Sequence, residues 1–206
     1  MNELSKILEA LLPFLAILNP FALCLYLAGV MEDLETREFV RVLAWSSIIA
    51  LIVFWIFAFS GETLLIKILR VRPAALRIFG GVIFFVIGYN YATRGYRATE
   101  MLRGSLEQLP SEIALPYMIG AGTITQSIII GKNNTLYEST IVIFLSILIS
   151  FFVVISFKFI RDKLSSKKEG VFDRYVNILS RINGLIIGAI STDMVVSGSR
   201  KLWLAG

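Results

Sequence analysis

The chain has 206 residues, of which 56% are hydrophobic and 17% charged, with a net charge of +5 and a mean hydropathy of +0.76. Soluble domains carry about 25% charged residues, so this composition excludes an ordinary water-soluble fold and points to the bilayer. The absence of histidine and the single cysteine, Cys24, exclude Ser–His or Cys–His catalysis, histidine metal sites and an internal dithiol relay.

Taken in chain order, the first uncharged run covers residues 10–31, and others follow at 42–61, 78–93, 113–131 and 139–157. A sixth apolar stretch, 177–199, is interrupted by Arg181 and Asp193. About 20 apolar residues suffice to cross a bilayer as a helix, so six transmembrane helices are expected in an all-α integral membrane protein. The first run does not read as a cleaved signal, because Glu3 and Glu9 flank it and further spans follow. The stretch "ETLLIKILRVRP" (62–73) mixes three basic residues with leucine and isoleucine and reads as a short interfacial helix, with a continuation of the second span as the alternative. The segments 31–41, 94–112 and 161–174 read as charged links. Eight of the twenty Lys and Arg fall on the side of the termini, so the positive-inside bias favours both termini outside a cell membrane. These basic anchors account for the net charge without a nucleic-acid partner; the expected partners are lipid and a small-molecule substrate.

No domain boundary interrupts residues 1–206, and the two halves resemble each other. "LLPFLAILNPF" (11–21) matches "ALPYMIGAGTI" (114–124) at an offset of 103, and "LRIFGG" (76–81) matches "SRINGL" (180–185) at 104. The chain therefore reads as a duplication, with repeats at about 1–98 and 110–206. Three spans per repeat is odd, so the second copy must enter the membrane from the opposite side, as in many transporters.

Two spans carry helix breakers at their centres. Pro20 sits mid-way along the first uncharged run and removes a backbone donor; Asn19 before it is suited to cap a new helix that begins with the proline. Gly120, Ala121 and Gly122 sit at the centre of the fourth run, where they let a helix unwind, and Thr123 is expected to cap the next one. Unpaired backbone groups cannot face lipid, so both breaks are expected to face a shared site inside the protein. Two inverted half-helices would point their positive ends at that site, and the carbonyls freed before each break would suit a cation; together these match a zwitterion. The candidate substrate-binding residues are Asn19, Pro20, Gly120, Ala121, Gly122, Thr123 and Thr125, with Gln126 and Ser127 beside them. Asp193 is the one acid inside a span and is a candidate for coupling or substrate contact. Arg77 and Arg181, near span ends, read as snorkelling anchors, and Asn90 and Asn183 as interhelical hydrogen bonders.

"AILNPFALCLYLAG", "ALRIFGGVIFFVIG", "LPYMIGAGTI" and "LSRINGLIIGAISTDMVVSG" resemble the four signature regions of the MarC family, also called the neutral amino acid transporter family. The resemblance covers almost the whole chain. It implies kinship with the lysine-exporter superfamily, six helices in two inverted halves, and small neutral amino acids such as glycine and alanine as substrates. Ala121 replaces the family's usual proline, Asp193 stands where glutamine is usual, and the link between the halves is short. The expected function is a secondary transporter working by alternating access, without cofactor or enzymatic activity. An exporter or facilitator of another small polar solute, or a non-transporting membrane accessory protein, are the alternatives.

Overall fold

The computed structural model describes residues 3–68, 70–95 and 108–204, without the side chains of residues 3, 4, 62, 116 and 164–173. The described residues are almost entirely helical and contain no strand. Most of the expected link 94–112, and with it the boundary between the repeats, lies outside them.

Helix α1 (Glu3–Leu18) ends where Pro20 removes the next backbone donor. Helix α2 (Pro20–Tyr26) starts at that proline, and after a slight irregularity at Leu27 it passes into α3 (Ala28–Asp33). Helix α4 (Thr36–Glu62) has 27 residues, about 40 Å at 1.5 Å per residue, enough to cross the hydrocarbon core. A π turn, Thr63–Ile68, continues it directly. The separate interfacial helix expected over 62–73 is therefore replaced by the continuation. No breaker precedes Pro73; beyond Ile68, Arg70 takes a left-handed φ of 53° and the Val71 amide bonds back to the Leu65 carbonyl at 2.8 Å.

Helix α5 (Pro73–Arg94) begins on a proline, whose missing N–H costs nothing at a first position. Helix α6 (Leu109–Ile113) leads into a second π turn, Ala114–Met118, and α7 (Ala121–Asn133) follows. The last helical run, α8 (Leu136–Leu204), carries two apolar arms, Leu136–Lys163 and Arg174–Leu204. Laid straight, it would separate Ser139 from Asp193 by about 80 Å. Yet the Ser139 hydroxyl bonds to the Ile130 carbonyl, and Ile129 shares a cavity with Asp193, so the two arms lie side by side. The backbone of 161–174, expected to be a non-spanning link, is helical nonetheless.

Among the described residues five stretches are long and apolar enough to cross a membrane: Ser5–Tyr26, Thr36–Gly61, Pro73–Arg94, Leu136–Lys163 and Arg174–Leu204. The fourth uncharged run, expected as a sixth span broken at its centre, is not among them. Its longest helix, α7, has 13 residues, about 20 Å, because the chain is extended at Leu115, Ile119 and Gly120. Pro116 explains the first of these, since a residue preceding proline is pushed out of helical geometry.

The core gathers α1, α4, α7 and the first arm of α8 around Phe14, Phe39, Phe54, Met118 and Ile143, all almost fully buried. Phe14 meets Phe54 edge to face at 5.2 Å between ring centres. The α4 and first-arm helices run antiparallel, tied by Thr36 to Asp162 at one end and Trp55 to Thr140 at the other. Large apolar side chains such as Trp45, Phe85, Phe152 and Ile186 point outward, as they must on a surface solvated by lipid.

Candidate functional site

Asn19 takes a left-handed conformation (φ 47°, ψ 74°), which asparagine tolerates better than most residues. Its own amide still bonds the Leu15 carbonyl at 2.8 Å. Its Oδ1 accepts the Ala22 amide at 3.0 Å, so Asn19 is the N-cap of α2 and Pro20 is the first helical residue, as its chemistry suggested. Two carbonyls lose their ordinary partners by this arrangement. Pro20 has no N–H to give Ala16, and the Ala22 amide has gone to Asn19 instead of Leu18.

The second break is built differently from expectation. The N-cap of α7 is Gly120, and Thr123 lies at the third helical position. The Thr123 hydroxyl accepts the Gly120 amide at 2.9 Å, and it lies 3.0 Å from the Met118 carbonyl and 2.9 Å from that of Gly120, to one of which it donates. Thr123 therefore ties the extended segment to the helix from inside the first turn, in place of capping from before it.

The two breaks meet. A Cβ placed on Gly122 would lie 3.1 Å from Cγ2 of Ile17, the residue two before Asn19. Around this contact is a cavity of about 340 Å³, walled by both breaks, α5, α7 and the second arm of α8. Asn19, Gly122, Thr125, Gln126 and Asp193 of the sequence candidates line it. Pro20, Gly120, Ala121 and Thr123 do not: Gly120 faces the Phe84 ring, Ala121 packs against Gly80, and Thr123 is spent on the break. Ser127 is buried, with its hydroxyl on the Thr123 carbonyl at 2.8 Å. Asn90, expected to bridge helices, turns its amide onto the Val86 carbonyl of its own helix.

Sequence reasoning left out much of the wall. Tyr26 and Tyr117, whose rings lie 5.1 Å apart, line the cavity beside Phe84, Ile187, Ile190 and Met194. Arg77, read as an anchor, also reaches it, and its guanidinium lies 3.7 Å from the Asp193 carboxylate. The signal available for Arg77 was its place within a span opposite an intramembrane acid, but nothing local in the sequence joins the two. A second polar cavity, lined by Lys6, Glu9 and Asn133, adjoins the first at Gln126 and Ile129.

A polytopic helical chain with two interrupted segments facing one cavity limits the possible kin, and comparison with known proteins decides among them. The family model for MarC family integral membrane proteins matches residues 4–203. The chain belongs to the MarC family. Its relatives include a UPF0056 membrane protein of Aquifex aeolicus, 30% identical with 94% of this chain and 92% of the relative covered. A UPF0056 membrane protein of Methanocaldococcus jannaschii is 28% identical, with 96% and 98% covered. The UPF0056 inner membrane protein YhgN of Escherichia coli is 23% identical, with 98% and 100% covered. No solved structure matches the chain. As a MarC family member with five apolar spans among its described residues, it is a multi-pass integral membrane protein.

Proposed function

We propose that this MarC family member is a secondary transporter of small neutral amino acids, of the glycine and alanine kind, working by alternating access at the cavity between its two helix breaks. The observation that carries this reading is the shared wall: Asn19 from one break and Gly122 from the other line a single small-molecule-sized space. Interrupted helices at membrane depth are tolerated only against protein or a water-filled cavity, and transporters place their sites there.

The same reading takes the fourth segment as a sixth, interrupted crossing and the chain as two inverted repeats. Supporting it, α3 ends at Asp33 and α4 begins at Thr36, while α7 ends at Asn133 and α8 begins at Leu136, each 100 positions later. Six crossings put both termini on one side, which the basic residues make the outer side of the cell membrane. The inner membrane named for the Escherichia coli relative agrees with that location. The adjoining polar cavity at Lys6 and Glu9 would serve as the vestibule on the side of the N-terminus.

The test is exchange of labelled glycine in proteoliposomes of the purified protein, with and without a pH or sodium gradient. Saturable exchange that alanine competes is the expected result. Flux of another polar solute but not of glycine would move the substrate class, and no flux of any solute would leave a membrane accessory protein.

A further inference from the structure

We infer that Arg77 and Asp193 form an exchangeable clamp for the two charges of an α-amino acid, the guanidinium taking its carboxylate and the carboxylate its ammonium. This rests on the transport reading above and names the side chains that would select the substrate class. The two groups stand 3.7 Å apart, beyond the 2.7–2.9 Å typical of a charge-assisted hydrogen bond, so they attract without being bonded. Among the described residues neither has a hydrogen bond to anything else. A guanidinium carries five donors and a carboxylate about four acceptor sites, so nearly all of that capacity is unclaimed by other described protein groups. Both side chains line the cavity, and that of Asp193 is 75% exposed.

Charge balance then decides which ligands fit. A lone cation or anion entering beside the pair would leave one net charge uncompensated within the cavity, which costs more than a neutral addition. A zwitterion adds none, and it replaces one loose ion pair with two close ones. Beyond the pair the wall holds no further charged group: Asn19, Thr125 and Gln126 are neutral, and Phe84, Ile187, Ile190 and Met194 are apolar. A second charge on the substrate side chain would therefore go unpaired, while a hydrogen or methyl is accommodated.

The experiment measures binding of glycine, glycinamide and propionate to the purified full chain, the latter two by competition against labelled glycine. Arg77→Gln should weaken glycine and propionate about 10- to 100-fold but not glycinamide, whose lone cation then balances Asp193 and should bind unchanged or tighter. Asp193→Asn should weaken glycine and glycinamide by a similar factor but not propionate, whose lone anion then balances Arg77 and should bind unchanged or tighter. Arg77→Lys and Asp193→Glu, which keep the charges, should recover part of the loss. Should the neutral variants not fold, Arg77→Lys decides alone, because losing the planar fork must weaken propionate more than glycinamide. Unaltered glycine binding in both neutral variants would overturn the clamp and leave the transport reading standing. Equal losses for all three ligands would mark a structural role and overturn it too. Failure of the wild-type chain to bind glycine or alanine would overturn both.

Discussion

Gly88 of α5 and Gly184 of α8 meet backbone to backbone: a Cβ placed on Gly88 would lie 2.9 Å from the Gly184 carbonyl oxygen and 2.8 Å from the Gly188 nitrogen. Gly81, seven residues earlier on α5, faces the Ser191 carbonyl at a similar 2.9 Å. Between lipid-solvated helices association depends on close packing, and small residues are what permit it. This contact holds α5 against the second arm of α8 and so holds Arg77 near Asp193.

The glycines of this interface should therefore behave oppositely when methylated. Gly88→Ala is expected to destabilise by about 1–3 kcal/mol, since backbone cannot move aside. Gly188 has open space where its Cβ would go, so Gly188→Ala should stabilise by about 0.5–1 kcal/mol through helix propensity alone. Thermal unfolding in detergent, followed by circular dichroism, measures both. Equal effects of the two changes would show that the helices are not packed as described.

Gly122 is a test of the cavity, not of the fold. A methyl there meets only the movable ends of Ile17 at 3.1 Å and Met194 at 3.7 Å, so Gly122→Ala should fold and keep most ligand binding. Gly122→Leu extends into the cavity and should abolish glycine binding while the elution profile and helix content stay normal. Normal glycine affinity in Gly122→Leu would place the site elsewhere.

Asn19 combines a cap with a left-handed backbone. Asn19→Ala loses the hydrogen bond to Ala22 and puts an unsuited residue at φ 47°, for an expected loss of about 2 kcal/mol. Asn19→Gly keeps the backbone conformation at ease and should cost only a few tenths of a kcal/mol. The ranking Ala worse than Gly, read from unfolding temperatures, is the diagnostic; the reverse ranking would mean that the break is not left-handed at this residue.

Lys158 secures the turn between α3 and α4. Its buried ammonium donates to the Met31 carbonyl at 2.6 Å, the Leu34 carbonyl at 3.1 Å and Asp162 at 2.9 Å, using all three protons. Lys158→Met strands two carbonyls and should cost about 2–4 kcal/mol. The neighbouring Arg161–Glu32 pair, with Glu32 58% exposed, should matter less, and Arg161→Gln is expected to cost under about 1 kcal/mol. Comparable losses in the two variants would show that burial of Lys158 contributes nothing.

Elements whose causes are local were legible in the order of residues. Uncharged runs of spanning length specify membrane helices because a bilayer admits nothing else. Pro20 ends α1 through its own missing N–H, and Asn19 caps α2 with its own side chain, so that break was legible to the residue. The extended Leu115 was equally legible in Pro116 after it, although only the break at Gly120 was read. Which residues of the breaks reach the cavity was not legible there, because it depends on packing between distant helices. Side-chain direction at Ala121 and Gly120 is set by the approach of Gly80 and Phe84 from α5, some forty positions earlier in the chain. Packing likewise sets the pairing of Arg77 with Asp193, which are 116 positions apart. No periodicity encodes such a distance. The two charges meet because glycines let two helices touch, and that contact depends on the shapes of both surfaces at once.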